Sequence, residues 1–128
     1  MKKIIKYFLL FAILLLISCD DTITSEDIDK LVMPDSNVSY AQHIAPVFEV
    51  KCVGCHNDQR KEGGVNLSSY TNVIADPRIL FRGEADNSVL VWTIEGLPGV
   101  QPMPPYGPLT QNHINGIKTW INEGADNN

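Results

Sequence analysis

The pattern of apolar and polar positions predicts short helices that are joined by polar loops rich in glycine and proline. Ile44, Val47 and Phe48 recur at the spacing of one helix face, so they predict an amphipathic helix. Proline lacks the N–H that a helix interior uses, and we therefore expect Pro46 to lie in the first turn of this helix. A looser turn starting at Tyr40 would precede it.

Three more helices are predicted, each preceded by a serine or threonine that can cap its first turn. They run from Ser68 or Ser69 to Ile74, from Ser88 to Ile94, and from Thr110 to Gly124. In the last helix Ile114, Ile117 and Ile121 form one apolar stripe, and Trp120 lies beside it. Gly116 lowers helix propensity, so we expect it to permit the close approach of another helix. The sequence shows no useful length of strand-like alternation, and the predicted fold class is all-α.

Residues 1–18 have the layout of a bacterial signal peptide, with three lysines before the apolar segment 7–17. That segment is too short for an ordinary transmembrane helix. The run Leu16-Ile17-Ser18-Cys19 resembles a lipobox, in which Cys19 would be lipidated and become the first mature residue. We therefore expect an exported protein that is lipid-anchored to the cell envelope and faces the periplasm. Plain secretion and an uncleaved anchor are the alternatives.

An acidic segment follows the signal peptide. Residues 19–37 hold six carboxylates and a single lysine among serines and threonines, which predicts an extended, disordered tether. The folded domain is then expected over residues 38–128. The net charge is −5 for the whole chain and about −8 for residues 19–128. This charge disfavours binding to nucleic acid and favours a partner with a basic docking patch.

The clearest chemical signal is Cys52-Val53-Gly54-Cys55-His56, the C-x-x-C-H attachment motif of c-type haem. Two cysteines three positions apart on a helical turn share one face, so both thiols can reach the two vinyl groups of one porphyrin. His56 follows at once and can serve as the proximal ligand of the iron. The motif thus predicts one covalently attached haem c.

Two other interpretations of the cysteine pair remain open at this point. A zinc site would normally take a second Cys/His pair, and no cysteine follows Cys55. A thioredoxin-like thiol centre would need a βαβ frame around the pair, which the local sequence does not predict.

The order of these elements resembles the class I cytochromes c, and most closely the planctomycete-type cytochrome c domain, over about residues 40–125. The residues that carry the resemblance are Ile44-Ala45-Pro46-Val47-Phe48, Cys52 to His56, Gly63-Gly64-Val65-Asn66-Leu67, Gly83 with Ser88-Val89-Leu90, Met103-Pro104-Pro105, Leu109-Thr110 and Trp120 to Ala125. One departure is Gly83-Glu84-Ala85-Asp86 in place of the usual Pro-Gly-x-Pro, which leaves the shape of that loop open and touches no ligand.

The resemblance implies a small cytochrome c-like fold, with helices packed around one haem and a long proline-rich ligand loop. It implies that Met103, which lies in the proline-rich segment 96–108, is the distal ligand of the iron. It also implies that the first and last helices cross with aromatic contact between Phe48 and Trp120. Val65 and Leu67 are expected against the haem edge.

Met33, His43 and His113 are the other candidate ligands in the sequence. Met33 lies in the acidic segment, before the motif, whereas the distal ligand is expected after it. We expect His43 and His113 to be structural or exposed to solvent, and His113 in particular to be exposed. Trp92, Trp120 and Tyr106 are expected to pack around the porphyrin.

Iron with histidine and methionine on its two axial positions has no open site for oxygen or peroxide, which suits electron transfer. The sequence therefore predicts a membrane-anchored, single-haem electron carrier, not an enzyme, that exchanges electrons with an envelope oxidoreductase or other cytochromes. The alternatives are a haem peroxidase or a gas-binding sensor with an open sixth position. A zinc or thiol lipoprotein is the remaining alternative.

Overall fold

The computed structural model of the protein describes residues 22–128, so the predictions for residues 1–18 and for Cys19 lie outside the described residues. All regular structure in residues 22–128 is helical, which confirms the all-α prediction. The α-helices are α1 (Ser25–Asp29), α2 (Ala45–Lys51), α3 (Tyr70–Ile74), α4 (Val89–Glu95) and α5 (Gln111–Asn122). None of these described helices is long and apolar enough to cross a membrane.

Helix α2 begins as the sequence predicts. A π-helical turn, Tyr40–Ile44, precedes it, and the Ser39 hydroxyl caps that turn by accepting a hydrogen bond from the backbone N–H of Gln42. Pro46 lies in the first turn of α2, where its missing N–H leaves no hydrogen bond unmade. The helix ends at Lys51, directly before the C-x-x-C-H motif.

The later helices have the predicted caps, with one change of role. Ser69 and Thr110 accept hydrogen bonds from the first turns of α3 and α5. Ser88 is the fully buried N-cap residue of α4, but its side chain makes no hydrogen bond to the first turn of that helix. Its hydroxyl accepts from the Phe81 N–H at 2.8 Å and lies 3.2 Å from the Glu84 carbonyl, to which it can donate. Ser88 therefore stabilises the preceding loop.

The loop whose shape the sequence left open is bound to the end of α5. Gly83 has a φ of +84°, a conformation that glycine adopts without strain, and its N–H donates to the Ile121 carbonyl at 2.8 Å. The Ala85 N–H donates to the Asn122 side chain at 2.9 Å, next to a 3₁₀ turn over Ala85–Asn87. These bonds connect the start of α4 to α5.

The hydrophobic core forms around the buried face of α5. Ile114, Ile117 and Ile121 are buried, which confirms the predicted stripe, and each contributes about 1.5–3 kcal/mol through removal from water. The ring that packs on Trp120 is Tyr40, at a centroid distance of 5.5 Å, whereas Phe48 was expected there. Phe48 is buried in the same core. The π-helical turn before α2 is the part of this region that packs against α5.

The described part of the acidic segment is folded onto the domain, so the prediction of an extended tether is wrong for residues 24–37. Thr24 and Asp27 form a capping box at the start of α1, and Ile28 and Met33 are only 3% and 4% exposed. The acidic composition suggested self-repulsion, but the buried apolar side chains outweigh it. This segment is part of the core in the structure.

Residues of α5 explain why the segment packs there. A Cβ atom at Gly116 would lie 2.4 Å from Met33 Cγ, so the glycine permits close approach of the N-terminal segment and not, as expected, of another helix. The Asn112 side chain accepts a hydrogen bond from the Met33 N–H at 2.8 Å. His113 is fully buried, with Nε2 3.2 Å from the Leu31 carbonyl, which corrects its expected exposure.

Candidate functional site

One cavity of about 360 Å³ brings together Cys52, Cys55, His56 and Met103, the residues that the sequence predicts to hold a haem. Three of them belong to one motif, and Met103 is far away in the sequence. The fold therefore brings the proline-rich loop to face the C-x-x-C-H turn, as the resemblance to cytochromes c implies.

The motif forms a single turn that continues from α2. The Cys52 N–H donates to the Phe48 carbonyl at 2.9 Å, in the pattern of an α-helix. The N–H groups of Cys55 and His56 then both donate to the Cys52 carbonyl, at 3.1 and 3.0 Å. This turn keeps the two thiols and the imidazole on the same side of the chain, where all three line the cavity.

Hydrogen bonds after the motif hold the turn in place. The Asn57 side chain donates to the Val53 carbonyl at 2.7 Å, and the Leu67 N–H donates to the His56 carbonyl at 2.8 Å. The second bond brings the segment after the loop back against the histidine. Val65 and Leu67 consequently line the cavity, as expected for residues at the haem edge.

Met103 is positioned by α4. Its backbone N–H donates to the carbonyl of Thr93 at 2.9 Å, and Thr93 itself lines the cavity. Helix α4 ends at Glu95 and is capped by Gly96, which has a φ of +65° and lets the chain turn towards the proline-rich loop. The Met103–Pro104 peptide bond is cis. A short backbone connection thus fixes the methionine next to the wall of the cavity.

Most of the remaining cavity wall is apolar. Besides the residues already described, the apolar lining residues are Ile79, Val89, Leu90, Ile94, Pro104 and Pro105. Lys51, Glu62 and Gln101 are the polar residues that join Thr93 in the lining. A mostly apolar cavity with a few convergent polar groups is typical of a cofactor site.

The environment of Cys52 differs from that of a thiol redox centre. Burial raises the pKa of the Cys52 thiol to about 12, the neighbouring Cys55 adds to this rise, and Lys51 opposes it. Redox-active cysteines have a lowered pKa, because the thiolate is the reactive form. Both cysteines of the motif are free thiols in the structure. Cys52 is thus poorly suited to thiol exchange and remains available for thioether formation.

The structure does not support a zinc site. Across residues 22–128 no group of three or more histidine, cysteine or carboxylate side chains is arranged to hold a metal ion. A structural zinc ion needs four such ligands in tetrahedral arrangement. The C-x-x-C-H turn lacks the second pair of ligands in space, as it does in the sequence.

The residues present fit a haem. The donor set comprises two thiols that can form thioethers, one imidazole and one thioether sulfur, all around an apolar cavity. The Nδ1 atom of His56 is buried and has no hydrogen-bond partner in the described part of the chain. Buried polar atoms are normally satisfied, so this imidazole retains unused bonding capacity beside the cavity.

Several other predictions about the site need correction. Tyr106 is 90% exposed, so it does not pack around a cofactor. Trp92 is half-buried and donates from Nε1 to the Asp86 carbonyl, while Trp120 is buried in the core with Nε1 donating to Asp126. All three lie outside the cavity lining. Proximity in sequence to the ligand loop was a poor guide for Tyr106.

The three other candidate ligands of the iron, Met33, His43 and His113, do not line the cavity. Met33 packs against Gly116, and His113 contacts Leu31. His43 Nδ1 accepts a hydrogen bond from the Ser39 N–H at 3.0 Å. Sequence reasoning missed Lys51, although it directly precedes the motif. It also missed that Leu90 and Ile94, one helical turn apart on α4, face the cavity.

Residues 52–107 match the model of a family described as planctomycete cytochrome C. The matched range begins at the first cysteine of the motif and includes Met103. No curated protein and no solved structure matches the chain.

Proposed function

Since residues 52–107 form a cytochrome c domain of the planctomycete type, we propose that this protein is a membrane-anchored, single-haem electron carrier. Cytochrome c domains bind haem and carry electrons, and that general function follows from the family. The finer proposal concerns the ligands, the anchor and the partners. The observation that supports it most directly is the convergence of Cys52, Cys55, His56 and Met103 on one apolar cavity.

In this proposal each residue of the cavity has a distinct role. Cys52 and Cys55 hold the haem by thioether bonds, which form when each thiol S–H adds across a vinyl group. His56 and Met103 would be the two protein ligands of the iron. The haem supplies the one-electron chemistry, and the apolar lining excludes water from the iron and its ligands.

Methionine in the distal position decides between a carrier and the alternatives. Relative to a second histidine, a thioether sulfur raises the reduction potential, and a six-coordinate iron offers no free position to peroxide or a gas. The hydrogen bond from the Met103 N–H to Thr93 supports this role, because it anchors the loop backbone at the cavity wall. A peroxidase or gas sensor would need this methionine to lie away from the iron.

We also propose that Cys19 is lipidated and anchors the protein at the periplasmic side of the cell envelope. Ser25, the first residue of α1, follows Cys19 by six positions, and such a segment spans at most about 20 Å. With α1 packed onto the domain, the lipid would hold the haem domain close to the membrane. Confinement there raises the effective concentration of membrane-associated redox partners.

The partners that fit this proposal are an envelope oxidoreductase or another cytochrome with a basic docking surface. The acidic surface of the chain, with seven basic and fifteen acidic residues after the signal peptide, supports attraction to such a surface. Nucleic acid, which is polyanionic, is disfavoured as a partner for the same reason.

The experiment that tests covalent attachment is haem retention after denaturation. We expect the protein, expressed with haem-maturation machinery, to keep its haem through acid–acetone extraction, whereas the double variant Cys52→Ala/Cys55→Ala loses it. Cys19→Ala is the matched control, since it removes the cysteine outside the motif and should retain the haem. Loss of haem from the parent protein on extraction would contradict the proposal.

A further inference from the structure

Lys51 is a charged residue of the cavity wall that the proposed ligand set leaves without a role. It directly precedes Cys52, lines the cavity, and its side chain is only 7% exposed. Its ammonium group lies 2.7 Å from Asp29 Oδ1 and donates to the Ser25 hydroxyl at 2.6 Å. Both partners belong to α1, so a buried cation at the cavity is held by the N-terminal segment.

The other charged residue of the cavity wall has a different setting. Glu62 pairs with Arg60, and both side chains are about half exposed, so water and salt screen this pair. Charges that are withdrawn from water act over a longer distance, because the local dielectric constant is low. Of the charged residues that line the cavity, Lys51 should therefore have the strongest electrostatic interaction with a bound cofactor.

Lys51 is also next to the proposed attachment site. It directly precedes Cys52, and both residues line the same cavity. In the proposed function the sulfur of Cys52 is bonded to the edge of the porphyrin. Lys51 is therefore a neighbour of the residue that would hold the porphyrin.

We propose that the Lys51–Asp29 ion pair sets the reduction potential of the haem, with Asp29 of the N-terminal segment offsetting the positive charge of Lys51. This inference rests on the proposed function. On reduction the iron accepts one electron from the redox partner, and the net charge of the haem falls by one. A nearby cation favours the reduced form, and a nearby anion favours the oxidised form.

The two residues of the pair then have opposite effects on the midpoint potential. Asp29→Asn leaves the Lys51 cation without its counterion, so the potential rises. Lys51→Gln removes the buried cation of the cavity wall, so the potential falls; the Asp29 carboxylate that remains is 43% exposed, and water partly screens it. The double variant Asp29→Asn/Lys51→Gln removes both charges and returns the potential towards that of the parent. If the pair only held α1 in place, both single variants would shift the potential in the same direction.

The test is a spectroelectrochemical titration of the full, haem-loaded protein and its variants. Ser25→Ala is the matched control for loosening α1, because it removes a hydrogen bond to Lys51 without changing any charge. The second control uses the exposed ion pair of Glu26, in α1, with Lys30, which follows α1. Glu26→Gln removes one charge from α1 at a position outside the cavity wall. Both controls should keep the parent potential.

Opposite shifts for the two single variants support the inference, and shifts of the same sign or no shifts overturn it. If Asp29→Asn does not fold, Lys51→Gln decides alone: a lower potential supports the inference, and an equal or higher one overturns it. A parent protein that binds no haem contradicts the proposed function together with this inference. A haem-loaded parent whose variants keep its potential overturns this inference only.

Discussion

Gly116 is the residue that lets the N-terminal segment reach the core. A Cβ atom at this position would lie 2.4 Å from Met33 Cγ and 2.6 Å from Met33 Cβ, closer than non-bonded carbons approach. Because Met33 Cβ is fixed to the backbone, the side chain cannot simply swing away. The segment itself would have to move.

Gly116→Ala should therefore lower the free energy of unfolding by about 1–3 kcal/mol, although alanine is the better helix former. Urea unfolding of the full protein measures this. In a Met33→Gly background the same substitution should cost much less, because the Cβ, Cγ and Sδ atoms that obstruct the added methyl group are all gone. An equal cost in both backgrounds would show that the contact with Met33 is not the reason.

Sequence reasoning was most successful for residues whose chemistry is local. The C-x-x-C-H turn, Pro46 at the start of α2 and the caps Ser69 and Thr110 depend on neighbours within a few positions. Roles that depend on distant contacts were not predictable in this way. His113 occupies a helix position that is usually exposed, but Leu31, 82 positions earlier, covers it.

At the scale of elements, α1 and the chain after it show how composition can mislead. The acidic residues of this segment predicted a tether, yet Ile28 is buried against the domain while Val32 is 75% exposed. Only the spacing of a few apolar residues distinguishes a packed segment from a linker. The spacing can be interpreted only when the surface of the domain on which the segment packs is known. The sequence alone does not show this surface.

Ile28→Ala tests whether the segment is part of the core. We expect a loss of about 2–5 kcal/mol in the free energy of unfolding, since a buried side chain is removed and a cavity remains. Val32→Ala, in the same segment, is the control and should change stability by less than about 0.5 kcal/mol. Two equally small effects would mean that the segment is a linker after all.

Lys118 of α5 forms an ion pair with Glu95 of α4. Lys118 Nζ lies 2.8 Å from Glu95 Oε1 and 3.0 Å from Asp86 Oδ1, and its side chain is partly exposed. The hydrogen bonds that the Lys118 ammonium donates to Glu95 and to Asp86 raise the pKa of Lys118 above its usual 10.5. The charged form is thus stabilised in the folded protein.

Lys118→Met should destabilise the protein by about 0.5–1 kcal/mol near neutral pH. A raised pKa means that the contribution is complete below about 10.5 and is lost as the pH rises through the higher folded value. The difference between parent and variant in chemical unfolding should therefore shrink at alkaline pH. A difference that stays constant between pH 7 and the alkaline limit would contradict this account. Lys30→Met, in an exposed pair, is the control.

At the scale of the whole molecule, the fold brings Met103 and the C-x-x-C-H turn to one cavity, and it brings the N-terminal segment against both α2 and α5. The family resemblance predicted the first relation, because helix order and the Met-Pro-Pro run are visible in the sequence. The second relation depends on the particular surface of this chain. It shortens the segment between the proposed anchor and the haem domain.

The proposed anchor has a direct consequence. Cys19→Ala should abolish the incorporation of a labelled fatty acid into the protein, because the thiol that would carry the acyl chains is gone. Haem content should be unchanged, since the motif cysteines remain. Fatty-acid labelling followed by haem detection measures both. Equal incorporation into the parent and the variant would contradict lipidation at this residue.

The central claim is that His56 and Met103 are the axial ligands of one haem, and visible spectroscopy of the oxidised and reduced protein tests it most directly. We expect a sharp low-spin c-type α band on reduction, and in the oxidised form the weak far-red band that methionine sulfur produces on ferric haem. Met103→Ala should abolish the far-red band and allow carbon monoxide to bind, whereas Met33→Ala should keep the parent spectrum. A parent protein that is high-spin and binds carbon monoxide readily would contradict the account and favour a sensor or peroxidase.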